Sequence, residues 1–115
     1  MRILIADDEE SIRTLFSLLL GGKGHTVSAA GDGVEALALV NAGQFDVVVT
    51  DHQMSEKNGL ELVRELKAAS FPGRIVVISG VLSPAIRKEY EVLKVDAIIA
   101  KPLGLKELVA WLESF

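Results

Sequence analysis

Short apolar runs alternate with longer amphipathic segments along this chain. The runs are rich in β-branched residues and too short for helices, which predicts buried strands at 2–6, 25–30, 46–51, 74–79 and 96–100. After each run, apolar residues recur at the three- and four-residue spacing of a helix with one buried face. This alternation predicts an α/β fold, in which a five-stranded parallel sheet carries helices on both faces.

The first helical segment shows how the buried faces are predicted. Ile12, Leu15, Phe16 and Leu19 are spaced to face the core together, and the glycine-rich stretch 21–24 ends the helix. The later helices have predicted N-caps at Asp32, Asn58 and Ser83, and predicted inward residues at Ala36, Leu37, Val40, Leu62, Val63, Leu66, Leu105, Leu108, Val109 and Leu112.

Length and composition restrict the class of protein. With 115 residues, half of them hydrophobic, the chain is predicted to form one domain, 1–115, with its own core. It contains no cysteine, which excludes disulfides and thiolate metal sites. A net charge of −4 without a cluster of Lys and Arg argues against direct nucleic-acid binding. Without a membrane-length apolar run or a signal-peptide pattern, we expect a cytoplasmic domain without membrane contact.

Polar residues end or follow four of the predicted strands. Asp7 and Asp8 come after the first strand, Asp51 ends the third, Ser79 ends the fourth, and Lys101 follows the fifth. A single Asp at a strand end is more often a turn residue than a reactive group. However, the carboxyl ends of parallel strands meet at one edge of a sheet, where ligands bind. We therefore expect these five side chains to lie close together.

Three carboxylates at one edge limit the chemistry that this edge can support. Two carboxylates ~4 Å apart repel each other by roughly 4 kcal/mol at an effective dielectric of about 20, so the cluster needs a cation or a bound proton. Lys101 offsets part of the charge, and the oxygen ligands suit a hard divalent ion such as Mg²⁺. A carboxylate nucleophile beside a metal, an ammonium and a hydroxyl provides the groups that in-line phosphoryl transfer requires.

Five short motifs resemble those of a known family. They are Ile-Ala-Asp7-Asp8-Glu, Val-Val-Thr-Asp51-His-Gln-Met54, Asn58-Gly59-Leu60-Glu61-Leu62, Ile78-Ser79-Gly80 and Lys101-Pro102. Each motif is weak alone, but together they are specific in order and spacing. The whole chain resembles the CheY-like receiver domain of two-component response regulators.

The resemblance implies a flavodoxin-like fold with sheet order 2-1-3-4-5. It also implies that Asp51 is the phosphoacceptor. Mg²⁺ would be bound by Asp8, by Asp51 and by the backbone carbonyl of Gln53, and Asp7 would reach it mainly through water. By this resemblance the chain is a signalling domain that assists its own phosphorylation and dephosphorylation, not an enzyme.

The resemblance further assigns a switch and a set of partners. Ser79 would sense the phosphoryl group, Lys101 would pair with it, and the Lys101–Pro102 peptide bond would be cis. The phosphoryl donor would be a sensor histidine kinase or a histidine phosphotransfer protein. A downstream protein or effector domain would then bind the face formed by the fourth helix, fifth strand and fifth helix, which is also an option for a homodimer.

Some residues depart from the family pattern. Ser55 stands where proline is usual, which should slightly loosen the loop after Asp51. Lys94 and Val95 replace the usual Gly-Ala pair. Ile98 replaces the usual aromatic switch residue, so we expect a smaller or different aromatic response. The residues that influence hydrolysis of the acyl phosphate are Gln53 and Val81; Val81 cannot orient a water, which predicts a long-lived phosphoryl state.

Some single residues, and the fold itself, have alternative interpretations. His52 is interpreted as a loop residue partly facing solvent, because no second His or Cys accompanies it as a metal ligand. Trp111 is expected to flank the core. An FMN-binding flavodoxin would place its phosphate against repelling acids at 7–10, and a haloacid-dehalogenase-type phosphatase needs an Asp-x-Asp run that the first strand lacks. A receiver fold that binds proteins independently of phosphorylation remains the main alternative.

Overall fold

The computed structural model describes residues 1–80, 82–101 and 104–114. Within these residues, five strands alternate with five helices. The strands are β1 Arg2–Ala6, β2 Thr26–Ala30, β3 Val47–Thr50, β4 Arg74–Ser79 and β5 Ala97–Ala100. The helices are α1 Glu10–Gly22, α2 Gly33–Ala42, α3 Gly59–Ala68, α4 Pro84–Val92 and α5 Gly104–Glu113. The expectations for Val81, for the Lys101–Pro102 bond and for the Leu105 side chain lie outside the described part of the chain.

The strands form one parallel sheet in the order β2-β1-β3-β4-β5, which confirms the predicted α/β class and strand order. The register brings the ends of the central strands level, since Ala6 pairs with Thr50. On the other side of β3, Ser79 pairs with Ala100. The residues that follow these strands therefore emerge at the same edge of the sheet.

The two faces of the sheet carry separate hydrophobic clusters. Alternate residues of the strands point to opposite faces, so Leu4 and Val48 join one cluster while Ile3 and Val47 join the other. The first cluster packs the sheet against α2, α3 and α4. The second packs it against α1 and α5, and the half-buried Trp111 lies at its margin as expected. No helix in the described ranges has the length and hydrophobicity that a membrane span requires.

The predicted buried face of α1 was wrong in part. Phe16 and Leu20 are buried and Ile12 packs against them, but Leu15 and Leu19 are 45% and 43% exposed. Apolar residues flank this stripe on both sides, so spacing alone does not define which flank is buried. The helix is turned so that the side chain of Arg13 donates to the carbonyl oxygen of Asp7, at 2.7 Å.

Two aspartates that were predicted to begin strands instead lie one residue before them. Asp46 precedes β3, and its carboxylate accepts a hydrogen bond from the Arg2 N–H at 2.7 Å. Asp96 precedes β5 and accepts from the Ile75 N–H, also at 2.7 Å. Each carboxylate therefore satisfies a backbone donor at the start of the neighbouring strand. His25 was likewise predicted to begin a strand, but it precedes β2.

Replacing Lys94 with glycine is expected to stabilise the domain by about 0.5–1 kcal/mol. Lys94 follows the C-cap of α4 with φ 59°, a left-handed conformation that costs a side chain energy and glycine almost none. Urea denaturation measures the change. As a matched control, Lys88→Gly in the exposed part of α4 should destabilise by about 1 kcal/mol. A lower stability of the Lys94→Gly variant would contradict the argument.

Candidate functional site

The site is built on the ends of the two central strands. Because Ala6 and Thr50 are paired, Asp7 and Asp51 follow them side by side, and the Asp51 N–H donates to the Ala6 carbonyl oxygen at 2.9 Å. Asp7 is 4% exposed and Asp51 8% exposed, whereas Asp8 is exposed. Two nearly buried carboxylates and one exposed carboxylate thus share the edge.

Lys101 bridges the two buried carboxylates. Its Nζ lies 3.0 Å from Oδ2 of Asp7 and 3.0 Å from Oδ2 of Asp51. Burial lowers the pKa of Lys101, but hydrogen bonds to Asp7 and Asp51 outweigh burial and raise it above its ordinary value. The backbone N–H of Lys101 donates to the Ser79 carbonyl at 2.8 Å, which fixes the start of the side chain against β4.

The three carboxylates lie close enough together to hold one cation. One carboxylate oxygen from each of Asp7, Asp8 and Asp51 lies within 4.8 Å of the others. Backbone groups also donate to two of these carboxylates: Oδ1 of Asp7 accepts from the Glu9 N–H at 2.9 Å, and Oδ1 of Asp51 accepts from the His52 N–H at 2.7 Å. A set of oxygen ligands with this negative charge fits a hard divalent ion better than a soft metal.

The remaining predicted site residues differ in how closely the structure ties them to this cluster. Ser79 ends β4 at the same edge and is buried. Gln53 is exposed in the loop after β3. The role of its backbone carbonyl as a metal ligand stays a prediction. Ile98 is half-buried within β5 and packs against the cluster of α2, α3 and α4.

One contact at this site is not evident from the sequence. His52 is half-buried, and its Nδ1 lies 2.7 Å from Oη of Tyr90, which is fully buried in α4. The rings meet edge to face with centroids 5.6 Å apart. A buried tyrosine hydroxyl generally has a polar partner, and this was the available signal. It did not identify His52 as that partner, because 38 residues separate the two.

Comparison with known proteins gives consistent matches over almost the whole chain. The model of the response regulator receiver domain matches residues 3–113. The response regulator MprA of Mycobacterium ulcerans is 34% identical over 110 residues, covering 96% of this chain and 47% of that protein. The DNA-binding transcriptional regulator NtrC of Azospirillum brasilense is 35% identical over 117 residues, covering 96% of this chain and 23% of that protein. The chain therefore spans less than half the length of these relatives.

Solved structures agree with the sequence matches. The chemotaxis response regulator CheY4 of Vibrio cholerae superimposes with a TM-score of 0.89 at 30% identity, covering 98% of this chain and 96% of that chain. The response regulator TrrA of Thermotoga maritima, solved in complex with Mg²⁺-BeF, gives a TM-score of 0.85 at 27% identity with the same coverage. The family match, the shared fold and the sequence relatives together show that the chain belongs to the response regulator receiver domain family.

Proposed function

We propose that this domain accepts a phosphoryl group on Asp51, in a Mg²⁺-dependent reaction, from a sensor histidine kinase or a histidine phosphotransfer protein. The observation that supports this most directly is the Lys101 ammonium, 3.0 Å from both Asp7 and Asp51, beside the exposed Asp8. A structural ion pair needs only one carboxylate for each lysine. An excess of carboxylates around one lysine instead favours a site that also binds a cation and an anionic substrate.

Each residue of the site has a role in this reaction. An Asp51 carboxylate oxygen forms the new bond to phosphorus while the bond from phosphorus to the donor nitrogen of phosphohistidine breaks. Lys101 neutralises charge on the transferred group. The Ser79 hydroxyl, at the end of the neighbouring strand, donates to a phosphoryl oxygen. These groups make the domain a phosphoacceptor that assists its own phosphorylation and dephosphorylation.

The residues that would hold Mg²⁺ are Asp8 and Asp51 directly, Gln53 through its carbonyl, and Asp7 mainly through water. When bound, the ion supplies positive charge that stabilises the phosphoryl oxygens. The complex of the Thermotoga maritima response regulator TrrA with Mg²⁺-BeF supports this assignment. So does the spacing of the three carboxylates in this chain.

Phosphorylation of Asp51 would act as a switch for partner binding. It adds negative charge at one edge of the sheet and would bias the segment that leads from Ser79 into α4. Output would then use the face of α4, β5 and α5, where Ile98 lies, either towards a downstream protein or effector domain or towards a second copy. The names of the relatives, which include a DNA-binding transcriptional regulator, are compatible with an effector outside this domain. We place this reaction in the cytoplasm.

The second candidate is a receiver-fold module that binds proteins without phosphorylation. Exposed leucines on α1 favour a protein contact of some kind, since Leu15, Leu18 and Leu19 are 45%, 71% and 43% exposed. Those leucines do not distinguish a phosphorylation-dependent partner from an independent one. Direct measurement of phosphoryl transfer does.

Incubation with a small-molecule phosphodonor is expected to add one phosphoryl group to the intact protein, as measured by mass spectrometry. The addition should require Mg²⁺ and should be absent in Asp51→Asn, because an asparagine amide lacks the carboxylate that forms the proposed bond to phosphorus. Glu10→Gln, which removes an exposed acid nearby, is the matched control and should be phosphorylated normally. A folded wild type that gains no mass would favour the binding-module alternative.

A further inference from the structure

His52 connects the candidate phosphoacceptor with α4. Its Nδ1 is 2.7 Å from Tyr90 Oη, and this hydrogen bond joins the loop after β3 to the helix after β4. Tyr90 is 0% exposed and belongs to the cluster that packs α2, α3 and α4 on the sheet. The contact therefore runs from the residue next to Asp51 into the interior side of a helix on the proposed output face.

The backbone of His52 also holds the Asp51 carboxylate. Its N–H donates to Oδ1 of Asp51 at 2.7 Å, and its carbonyl accepts from the Gly59 N–H at 2.9 Å. Gly59 is the first residue of α3. This one residue thus contacts the Asp51 carboxylate, the first residue of α3 and, through its ring, α4.

The Tyr90 hydroxyl is confined at this junction. Burial, together with the negative charge of Asp51, raises the pKa of Tyr90 well above its ordinary value, so the hydroxyl stays protonated and can donate to Nδ1. A Cβ atom added at Gly59 would lie 2.8 Å from Tyr90 Oη, which shows how closely α3 approaches the hydroxyl. Loss of the His52 partner would therefore leave a buried polar group unpaired, at a cost in stability.

We propose that His52 and Tyr90 are positioning residues for phosphoryl transfer, and that their hydrogen bond transmits the state of Asp51 to α4. The inference rests on the proposed function, because it requires Asp51 to be the phosphoacceptor. Such coupling is reciprocal: a partner that moves Tyr90 through α4 changes the loop that holds the Asp51 carboxylate. Ile98 packs against the same cluster as Tyr90.

Three variants separate the hydrogen bond from the packing. Tyr90→Phe removes only the hydroxyl oxygen. His52→Leu removes the ring nitrogens. His52→Asn has the same number of side-chain heavy atoms as His52→Leu but restores a polar atom near the position of Nδ1. The rate of phosphoryl addition from a small-molecule donor and the change in α4 amide exchange on phosphorylation are measured for each protein.

Tyr90→Phe and His52→Leu are expected to slow phosphoryl addition about five-fold and to abolish the exchange change in α4, whereas His52→Asn stays within about twofold of wild type. Ser83→Ala is the control, because Ser83 Oγ caps α4 by accepting from the Ile86 N–H at 3.2 Å without contact to His52. It should weaken α4 and leave the rate unchanged.

Three results would overturn the proposal. The first is a Tyr90→Phe variant that matches wild type in both measurements. The second is a Ser83→Ala variant that reproduces the Tyr90→Phe result, since the contact would then act only through helix stability. The third is a His52→Asn variant as slow as His52→Leu. A wild type that is not phosphorylated refutes the proposed function itself, and that failure is recognised before any variant is compared.

Discussion

Replacing Lys101 with methionine is expected to slow phosphoryl addition to Asp51 by about 10²–10³-fold. The ammonium lies 3.0 Å from the carboxylates of Asp7 and Asp51, within reach of charge that develops on a group transferred to Asp51. Methionine fills a similar volume but has no charge to stabilise that group. The measurement is the initial rate of mass addition at saturating Mg²⁺ and phosphodonor, with circular dichroism to show that the variant is folded.

The control for this loss is another lysine in an ion pair. Lys23 lies 3.4 Å from Glu113 at the exposed surface, with 47% of its side chain accessible. Lys23→Met removes a lysine charge without changing the site, and it should leave the rate unaltered. A Lys101→Met rate within about threefold of wild type would contradict a role in charge stabilisation, which normally has a far larger effect.

Neutral pH is the appropriate condition for this comparison. The pKa of Lys101 in the folded protein lies above its ordinary value of 10.5, because hydrogen bonds to Asp7 and Asp51 outweigh burial. Its contribution to stability is therefore complete below the ordinary pKa, and it is lost only as pH rises through the raised value. Throughout the neutral range, Lys101→Met removes a fully charged partner of two carboxylates.

The carboxylate edge could be predicted from the sequence because it depends on topology alone. Once strands are recognised as parallel, their carboxyl ends must share an edge, whatever the details of side-chain packing. Asp7, Asp51 and Lys101 were placed together on that basis, and the structure brings them within hydrogen-bonding distance. The family motifs added the strand order, which alternation of elements does not define.

The parts that sequence patterns did not predict depend on rotation and on long-range contacts. The buried side of α1 was misjudged because leucines occupy positions 15, 18, 19 and 20, so several rotations of the helix bury a similar number of apolar residues. The His52–Tyr90 hydrogen bond joins residues with no periodic relation. Only the packing of α4 against the sheet makes the histidine and the tyrosine partners.

Gly59 lies where these elements meet. It begins α3, and its N–H donates to the His52 carbonyl oxygen. It also lies within the capping box, in which the side chains of Asn58 and Glu61 accept from each other's backbone N–H groups. A Cβ atom there would overlap the carbonyl oxygen of Asp51 and would approach Tyr90 Oη to 2.8 Å and the Cα of His52 to 3.0 Å. The close approach of the Asp51 loop, α3 and α4 therefore depends on the absence of a side chain at this position.

Gly59→Ala is accordingly expected to destabilise the domain by about 3 kcal/mol, at the upper end of the usual cost of overpacking, because two of the overlapping atoms belong to the backbone. Urea denaturation gives the free energy of unfolding. Gly21→Ala is the matched control: it lies in the last turns of α1 with nothing within 4 Å of the new methyl group, and it should stabilise by about 0.5–1 kcal/mol. If Gly59→Ala were as stable as wild type, the Asp51 loop could move away from α3 at little cost. That result would refute the prediction.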